Sequence, residues 1–354
     1  MTDDSAAATK NRNQEPSGIP VVSRNSLEYV VRSGLAGGIS GSCAKTLIAP
    51  LDRIKILFQT SNPHYTKYSG SLIGLTEAAR HIWINDGIRG FFQGHSVTLI
   101  RIFPYAAIKF IAYEQIRSVL IPSKEYETHW RRLASGSLAG LCSVFVTYPL
   151  DLVRVRLAYV TEHNRVKLTN IVKTIYQEPA SVTLSSKSYI PKWFAQWSNF
   201  YRGYVSTVLG MIPYAGVSFF SHDFFHDVFK HPLLAPYAVL ELSEDDEVVR
   251  VQKHQRTPLQ TWAELVSGGL AGMISQTAAY PFEIIRRRLQ VSTLAPRNMY
   301  EHKFQGIMEI ARIIYSERGW RGFFVGLSIG YIKVTPMVAC SFFVYERMKL
   351  YLGI

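Results

Sequence analysis

The sequence predicts an all-α membrane protein of six long helices, arranged in three pseudo-symmetric repeats with a short helix inside each. Three observations carry this. A Pro-x-acid-x-x-base hexapeptide occurs at Pro50, Pro149 and Pro281, each inside a long apolar stretch. A GxxxG pair precedes each proline at the same offset: Gly37 and Gly41, Gly136 and Gly140, Gly268 and Gly272. An aromatic motif closed by glycine follows each, ending at Gly94, Gly203 and Gly326. Ten residues later comes another proline, at Pro104, Pro213 and Pro336. Fixed-period self-similarity of this kind marks a repeat architecture.

The first repeat covers 27–122, with long helices near 27–58 and 95–120. The second covers 128–230, with helices near 130–160 and 204–230. It carries about 10 extra residues near 179–198, expected as a polar loop because loops accept insertions at low cost. An acidic insertion, 231–257, precedes the third repeat at 258–354, whose helices lie near 260–291 and 327–351. Residues 1–26 carry Asp3, Asp4 and Glu15 and no apolar run. They read as a disordered tail, neither a secretory signal nor an acid-poor transit peptide.

Composition selects the solvent. Hydrophobic residues make up 47% of the chain, yet no window offers ~20 residues free of polar groups. Small residues and scattered charges on otherwise apolar helices fit one face to lipid and one to a polar cavity. A soluble α-solenoid is the competing reading. Against it stand the GxxxG pairs, which permit close packing in lipid, and the mid-helix prolines, which membranes tolerate. The net charge of +13 raises nucleic acid as a partner. The bases recur at repeat-equivalent places and are not gathered on one arm, which disfavours it. Cys43, Cys142 and Cys340 show no metal or redox spacing and are expected as small buried residues. No catalytic constellation or Walker motif occurs, so neither an enzyme nor a cofactor or metal is expected.

With three Pro-x-[Asp/Glu]-x-x-[Lys/Arg] copies, each followed by an aromatic-x-Gly motif, the chain resembles the mitochondrial carrier family over about 27–351. The resemblance implies a six-helix bundle with short matrix helices in the mitochondrial inner membrane. One central site opens to either side in turn. Within the family, "SGSCAKTLIAPLDRIKILFQTS" and "GFFQGHSVTLIRIFPYAAIKFIAYE" resemble the nucleotide-type branch. The two middle-repeat insertions resemble the coenzyme A carriers of fungi, related to the Graves disease carrier.

The resemblance gives the charges after each proline a role. Asp52, Asp151 and Glu283 pair with Lys55, Arg154 and Arg286 of neighbouring repeats, as a gate on the matrix side. The alternative is a set of surface pairs beyond a helix stop. Gln59 and Gln290 stand four residues after the base, where the family has a bracing glutamine; the middle copy has Ala158. A cytosolic gate is expected from Glu114 with Arg117, Asp223 with His226, and Glu346 with Lys349. His226 departs from the pattern and carries its charge only in part near neutral pH.

Family contact positions lie thirteen residues before each cytosolic acid, at Arg101, Gly210 and Lys333. Cations at mid-membrane depth are costly unless used, so Arg101 and Lys333 are expected to stand in the cavity without bracing helices. Gly210-Met211 resembles the pair that admits an adenine face. Lys45 matches a cavity lysine of nucleotide carriers. Lys109 either faces the cavity or snorkels. Tyr105, Tyr214 and Gln276 are further polar liners. The glycines Gly70, Gly94, Gly203, Gly306 and Gly326 are implied to start helices whose N–H groups bind lipid phosphate, with cardiolipin as the lipid. The expected protein is a monomer that carries coenzyme A. Runner-up cargoes are dephospho-coenzyme A and ADP/ATP-like nucleotides, and a receptor or scaffold without transport is the alternative of a different class.

Overall fold

The computed structural model describes residues 27–123, 127–161, 167–178, 191–240, 259–294 and 306–353. The expected tail at 1–26 lies outside them. The first repeat holds α1 (Leu27–Gln59), α2 (Leu72–Phe91) and α3 (His95–Leu120). The second holds α4 (His129–Tyr159), α5 (Leu168–Gln177), α6 (Lys192–Ser198) and α7 (Tyr204–Phe229). A short α8 (Ala235–Ala238) leads toward the third repeat. That repeat holds α9 (Thr261–Val291), α10 (Ile307–Arg318), α11 (Leu327–Ile332) and α12 (Val334–Leu352).

The helices run unbroken through Pro50, Pro149 and Pro281. The sixth long helix is divided into α11 and α12 at Lys333, whose backbone stays right-handed helical. Pro336 has no N–H to give the Ile332 carbonyl, so the turn before it loses a rung. Part of the first insertion is helical rather than loop, as α6. The second insertion leaves and re-enters at one point: Val239 bridges Leu259, and Phe229, Ala238, Leu259 and Ala263 cluster beneath.

Each odd long helix packs along an even helix of the adjacent repeat: α1 on α12, α4 on α3, α9 on α7. The expected GxxxG contacts do not make these seams. A Cβ added at Gly37, Gly41, Gly136, Gly140, Gly268 or Gly272 would meet nothing within 4 Å. Buried small residues one position earlier form the packed stripe: Ala36, Ser40 and Ala44; Ser135, Ala139 and Ser143; Ser267, Ala271 and Ser275. One residue is a 100° turn of the helix, so the glycines lie off that seam. The small-xxx-small device holds, shifted by one residue from the glycines.

Large apolar side chains lie exposed along the long helices, among them Phe110, Ile111, Ile212, Phe220 and Phe342. Four stretches are long and apolar enough to cross a membrane: His95–Leu120, Trp130–Tyr159, Lys192–Phe229 and Ile307–Leu352. The cysteines are free, and Cys43 and Cys142 are exposed rather than buried.

Ala139 is fully buried on its seam. Ala139→Leu is expected to overpack it and cost about 1–3 kcal/mol. Gly140→Ala, with open space beside it, is expected to leave stability unchanged or raise it by up to ~1 kcal/mol. Thermal unfolding of the purified proteins checks both, and equal midpoints would remove the stripe as the packing surface.

Candidate functional site: a ring of shared carboxylates beneath a cationic cavity

The three odd helices meet just past their prolines, and their charges interlock in a cycle. Arg154 Nη2 reaches Asp52 at 3.1 Å, Arg286 Nη2 reaches Asp151 at 2.5 Å, and Lys55 Nζ reaches Glu283 at 3.0 Å. Every pair joins two different repeats. Gln59 Nε2 donates to Glu283 at 3.0 Å and to the Tyr280 hydroxyl at 3.1 Å. Gln290 Nε2 donates to Asp151 at 3.1 Å and to the Tyr148 hydroxyl at 3.2 Å. The Asp52–Arg154 link has neither a glutamine nor a tyrosine, because those places hold Ala158 and Ala49. Both alanines line a small cleft beside Asp52 and Arg154, together with Gln93 and His95.

Arg101 and Lys333 do not stand free. Arg101 Nη1 bonds Asp151 Oδ1 and Lys333 Nζ bonds Asp52 Oδ1, both at 2.7 Å. The expectation that they leave the helices unbraced is therefore corrected: each ties an even helix to the odd helix of another repeat. Arg287, unremarked in the sequence, adds a third cation to Asp151 at 3.2 Å and holds Gln290 Oε1 at 3.0 Å. Lys45 lies within electrostatic reach of Asp52, Lys333, Arg154 and Arg101, and its Nζ sits 3.4 Å from Met337 Sδ.

Around this floor the other candidates divide. Tyr105 lies under the Arg101 guanidinium at 5.4 Å. Gln276 packs on the backbone of Gly330, where a Cβ would lie 2.7 Å from its Nε2. Lys109 is exposed, and its spacing from Arg101 puts both on one side of α3. Tyr214 is exposed and Met211 half-buried. Gly210 has a packing reason of its own: a Cβ there would come within 3.0 Å of the Phe282 Cβ.

A second set of ion pairs, which the sequence reading missed, surrounds the ring. Arg53 meets Asp86 at 3.1 Å, Arg288 meets Glu317 at 2.7 Å, and Arg156 meets Glu178. These arginines are almost wholly buried. Arg156 and Arg288 each follow their ring acid by five residues, which was the available signal. Position 57 is Leu, and Arg53 supplies the base instead.

Gly94, Gly203 and Gly326 all take left-handed backbone, with φ of 83°, 83° and 80°, at the start of α3, α7 and α11. Each abuts a ring base of the next repeat. An added Cβ would lie 2.8 Å from the Arg154 carbonyl, 3.1 Å from the Arg286 carbonyl and 3.6 Å from Lys55 Cγ respectively. Gly70 also has a positive φ, 116°, whereas Gly306 is extended at the start of α10. A cleft of about 500 Å³ lies between Gly70 and Gly326, lined by Ser69, Ser71, Arg318 and Arg321.

At the opposite end stand the residues expected to form a second ring. Lys349 pairs with Glu346 of its own helix at 3.5 Å, and Arg117 with Glu127 at 3.3 Å. Glu114 makes no ion pair among the described residues. His226 is buried and stacks on His222, ring centroids 6.3 Å apart; Asp223 lies on the same helix.

Six long helices in three repeats, tied together at one end by inter-repeat ion pairs, are the architecture of a membrane carrier. The chain belongs to the mitochondrial carrier protein family, whose model matches residues 27–124, 125–233 and 257–354. It is a multi-pass protein of the mitochondrial inner membrane, in a family of transporters. It is 81% identical over 331 residues to mitochondrial carrier protein LEU5 of Saccharomyces cerevisiae, covering 94% of this chain and 93% of the relative. It is 39% identical over 325 residues to human solute carrier family 25 member 16, covering 91% and 88%. It is 34% identical over 345 residues to mitochondrial carrier protein CoAc2 of Zea mays, covering 93% and 88%.

The unbraced link generates a prediction. Ala158→Gln places a donor where Gln59 and Gln290 stand in the other copies. The cleft there is expected to accept it, with a net gain of about 0.5–1.5 kcal/mol from the new hydrogen bond. Gln290→Ala should lose a comparable amount. A thermal midpoint that falls in Ala158→Gln would show the cleft has another use.

Proposed function

We propose that this carrier brings coenzyme A, or a close adenine-nucleotide precursor, across the inner membrane into the matrix by alternating access. The observation that carries the reading is the charge balance of the cavity floor. Lys45, Lys55, Arg101, Arg154, Arg286, Arg287 and Lys333 face only Asp52, Asp151 and Glu283. The excess of four positive charges suits a cargo with a diphosphate and a further phosphate, held by charge-assisted bonds. Gly210 contributes no side chain, and Met211 and Tyr214 on the same helix offer an apolar wall for an adenine ring. The name CoAc2 of the maize relative agrees with this reading. ATP carries a similar charge and is the second reading the same floor supports.

In this account the ring is the matrix gate and the chain is drawn open to the cytosol. Phosphate that engages Arg101 and Lys333 competes with Asp151 and Asp52 for the same donors. Binding then loosens two inter-repeat links directly, and the difference in affinity between states shifts the gate. Glu114, Arg117, Asp223, His226, Glu346 and Lys349 form the closing contacts of the opposite state. Cardiolipin is the proposed occupant of the cleft between Gly70 and Gly326, and the transporting unit is a monomer.

Uptake by proteoliposomes of coenzyme A, dephospho-coenzyme A, ADP and ATP tests the cargo. Transport of carboxylates with no adenine compound would overturn it. Arg101→Ala and Lys333→Ala are expected to abolish uptake and, because both also brace, to lower the thermal midpoint; wild-type uptake in either removes them from the site.

Charge reversal separates the ring's links. Glu283 takes one ring cation, so Lys55→Glu with Glu283→Lys is expected to restore much of the activity each single change loses. Asp151 is shared by three, so an arginine there still faces Arg101 and Arg287. Asp151→Arg with Arg286→Asp is expected to stay inactive, since an unpaired buried charge costs ~3–5 kcal/mol. Equal rescue of both would show that the extra cations do not act on Asp151.

A further inference from the structure

The helix α6 exists because of the insertion in the middle repeat, and nothing above gives it a task. Its side chains Trp193, Phe194 and Trp197 are 59%, 51% and 53% exposed. They continue a strip on α5. That helix buries Ile171 and Ile175 in the core beside Leu152 and Phe200. The flank of the same face leaves Leu168, Val172 and Tyr176 exposed, at a spacing of four that keeps them in line. Tyr176 and Trp197 join the two helices edge to face, ring centroids 6.5 Å apart. α5 therefore has one broad apolar face, only part of which is taken up in packing.

Two observations say what covers the exposed part of this face. The first is register. Trp197 stands six residues before Gly203, the left-handed residue that begins α7. Trp320 stands six residues before Gly326 in the third repeat and is 72% exposed, and Ile88 has the same place before Gly94 and is 61% exposed. An exposed apolar residue thus recurs at one height on all three repeats, where each chain turns into a membrane-spanning helix. Tryptophan favours that boundary, with its ring at headgroup level. The second is continuity and charge. α6 leads through one short turn into α7, and together they lie in a stretch long and apolar enough to cross a membrane. Lys192, Lys167 and Lys173 flank the strip, as expected beside anionic headgroups.

We infer that α5 and α6 form an interfacial plate that binds the lipid surface of the matrix leaflet, with Trp193, Phe194 and Trp197 seated at the boundary of headgroups and acyl chains. On the middle repeat the strip gathers three large rings, Trp193, Phe194 and Trp197, where the first repeat exposes Trp83, Ile84 and Ile88 and the third exposes Trp320. The inference rests on membership of the carrier family and is independent of the cargo.

The test uses the full chain in vesicles of phosphatidylcholine with cardiolipin. The wild type is compared with Trp193→Phe/Trp197→Phe, so that the fluorescence lost reports those two indoles. Expected is strong quenching of this component by phosphatidylcholine brominated near the glycerol end of its chains, and protection from iodide present on both sides. Quenching by iodide without quenching by bromine would place the strip in water and overturn the inference. Protection from both would mean that protein covers it, a second copy included, and would overturn it equally. As a second readout, Trp193→Ser/Phe194→Ser/Trp197→Ser should lose the rise in thermal midpoint that added lipid gives the detergent-solubilised wild type. An unchanged lipid-induced rise counts against the plate.

Discussion

Three carboxylates hold this architecture together at one end. Asp52, Asp151 and Glu283 are each shared between repeats and largely withdrawn from water. A withdrawn carboxylate is strongly unfavourable without a partner, and a single pair often only offsets its own desolvation. The solution here is to give each acid more than one donor. Asp151 receives Arg101, Arg286, Arg287 and Gln290; Asp52 receives Arg154 and Lys333; Glu283 receives Lys55 and Gln59. The donors come from every repeat, so the ring makes three otherwise separate helix pairs into one body. The buried arginines Arg53, Arg156 and Arg288 then tie the short helices and their flanking turns to the same place.

The backbone follows from this demand. To bring a base beneath a neighbour's acid, each even helix must begin very close to the adjacent odd helix. The left-handed glycines supply that approach, because a side chain at Gly94 or Gly203 would strike the carbonyl of a ring base. Farther along, the small-residue stripes keep the odd and even helices in contact while the glycines beside them leave space off the seam. Polar floor and tight helix entry are thus consequences of one demand.

Much of the fold was legible because the repeat is its own control. One Pro-x-acid-x-x-base copy says little, whereas three at equal offsets locate six helices and the ring members. The sequence was less informative where a residue's job depends on rotation or on a partner from elsewhere. GxxxG pointed at the right helices and the wrong face, since a shift of one residue turns the packed surface by 100°. Arg101 and Lys333 were found by offset, but their bonds to Asp151 and Asp52 depend on where two other repeats place those acids. Arg287 and the Arg53–Asp86 pair break the threefold pattern, so a search built on that pattern passes over them.

Those departures make the ring unequal, and the inequality bears on how it opens. The seam between the second and third repeats has Arg286, Arg287 and Gln290 on one acid. None of these is among the proposed contact residues, the proposed place on α7 being Gly210. The seam between the first and second repeats has Asp52–Arg154 and Arg101–Asp151, without a glutamine or tyrosine brace and with a cleft beside it. In the proposed account, a cargo phosphate that draws off Arg101 would leave this seam one ion pair. Drawing off Lys333 leaves the third-to-first seam with Lys55 and Gln59 on Glu283. The same binding event therefore weakens the first repeat's two seams and leaves the remaining one intact. The first repeat is the one least held once cargo is bound, and Ala49 and Ala158 are the residues that make it so.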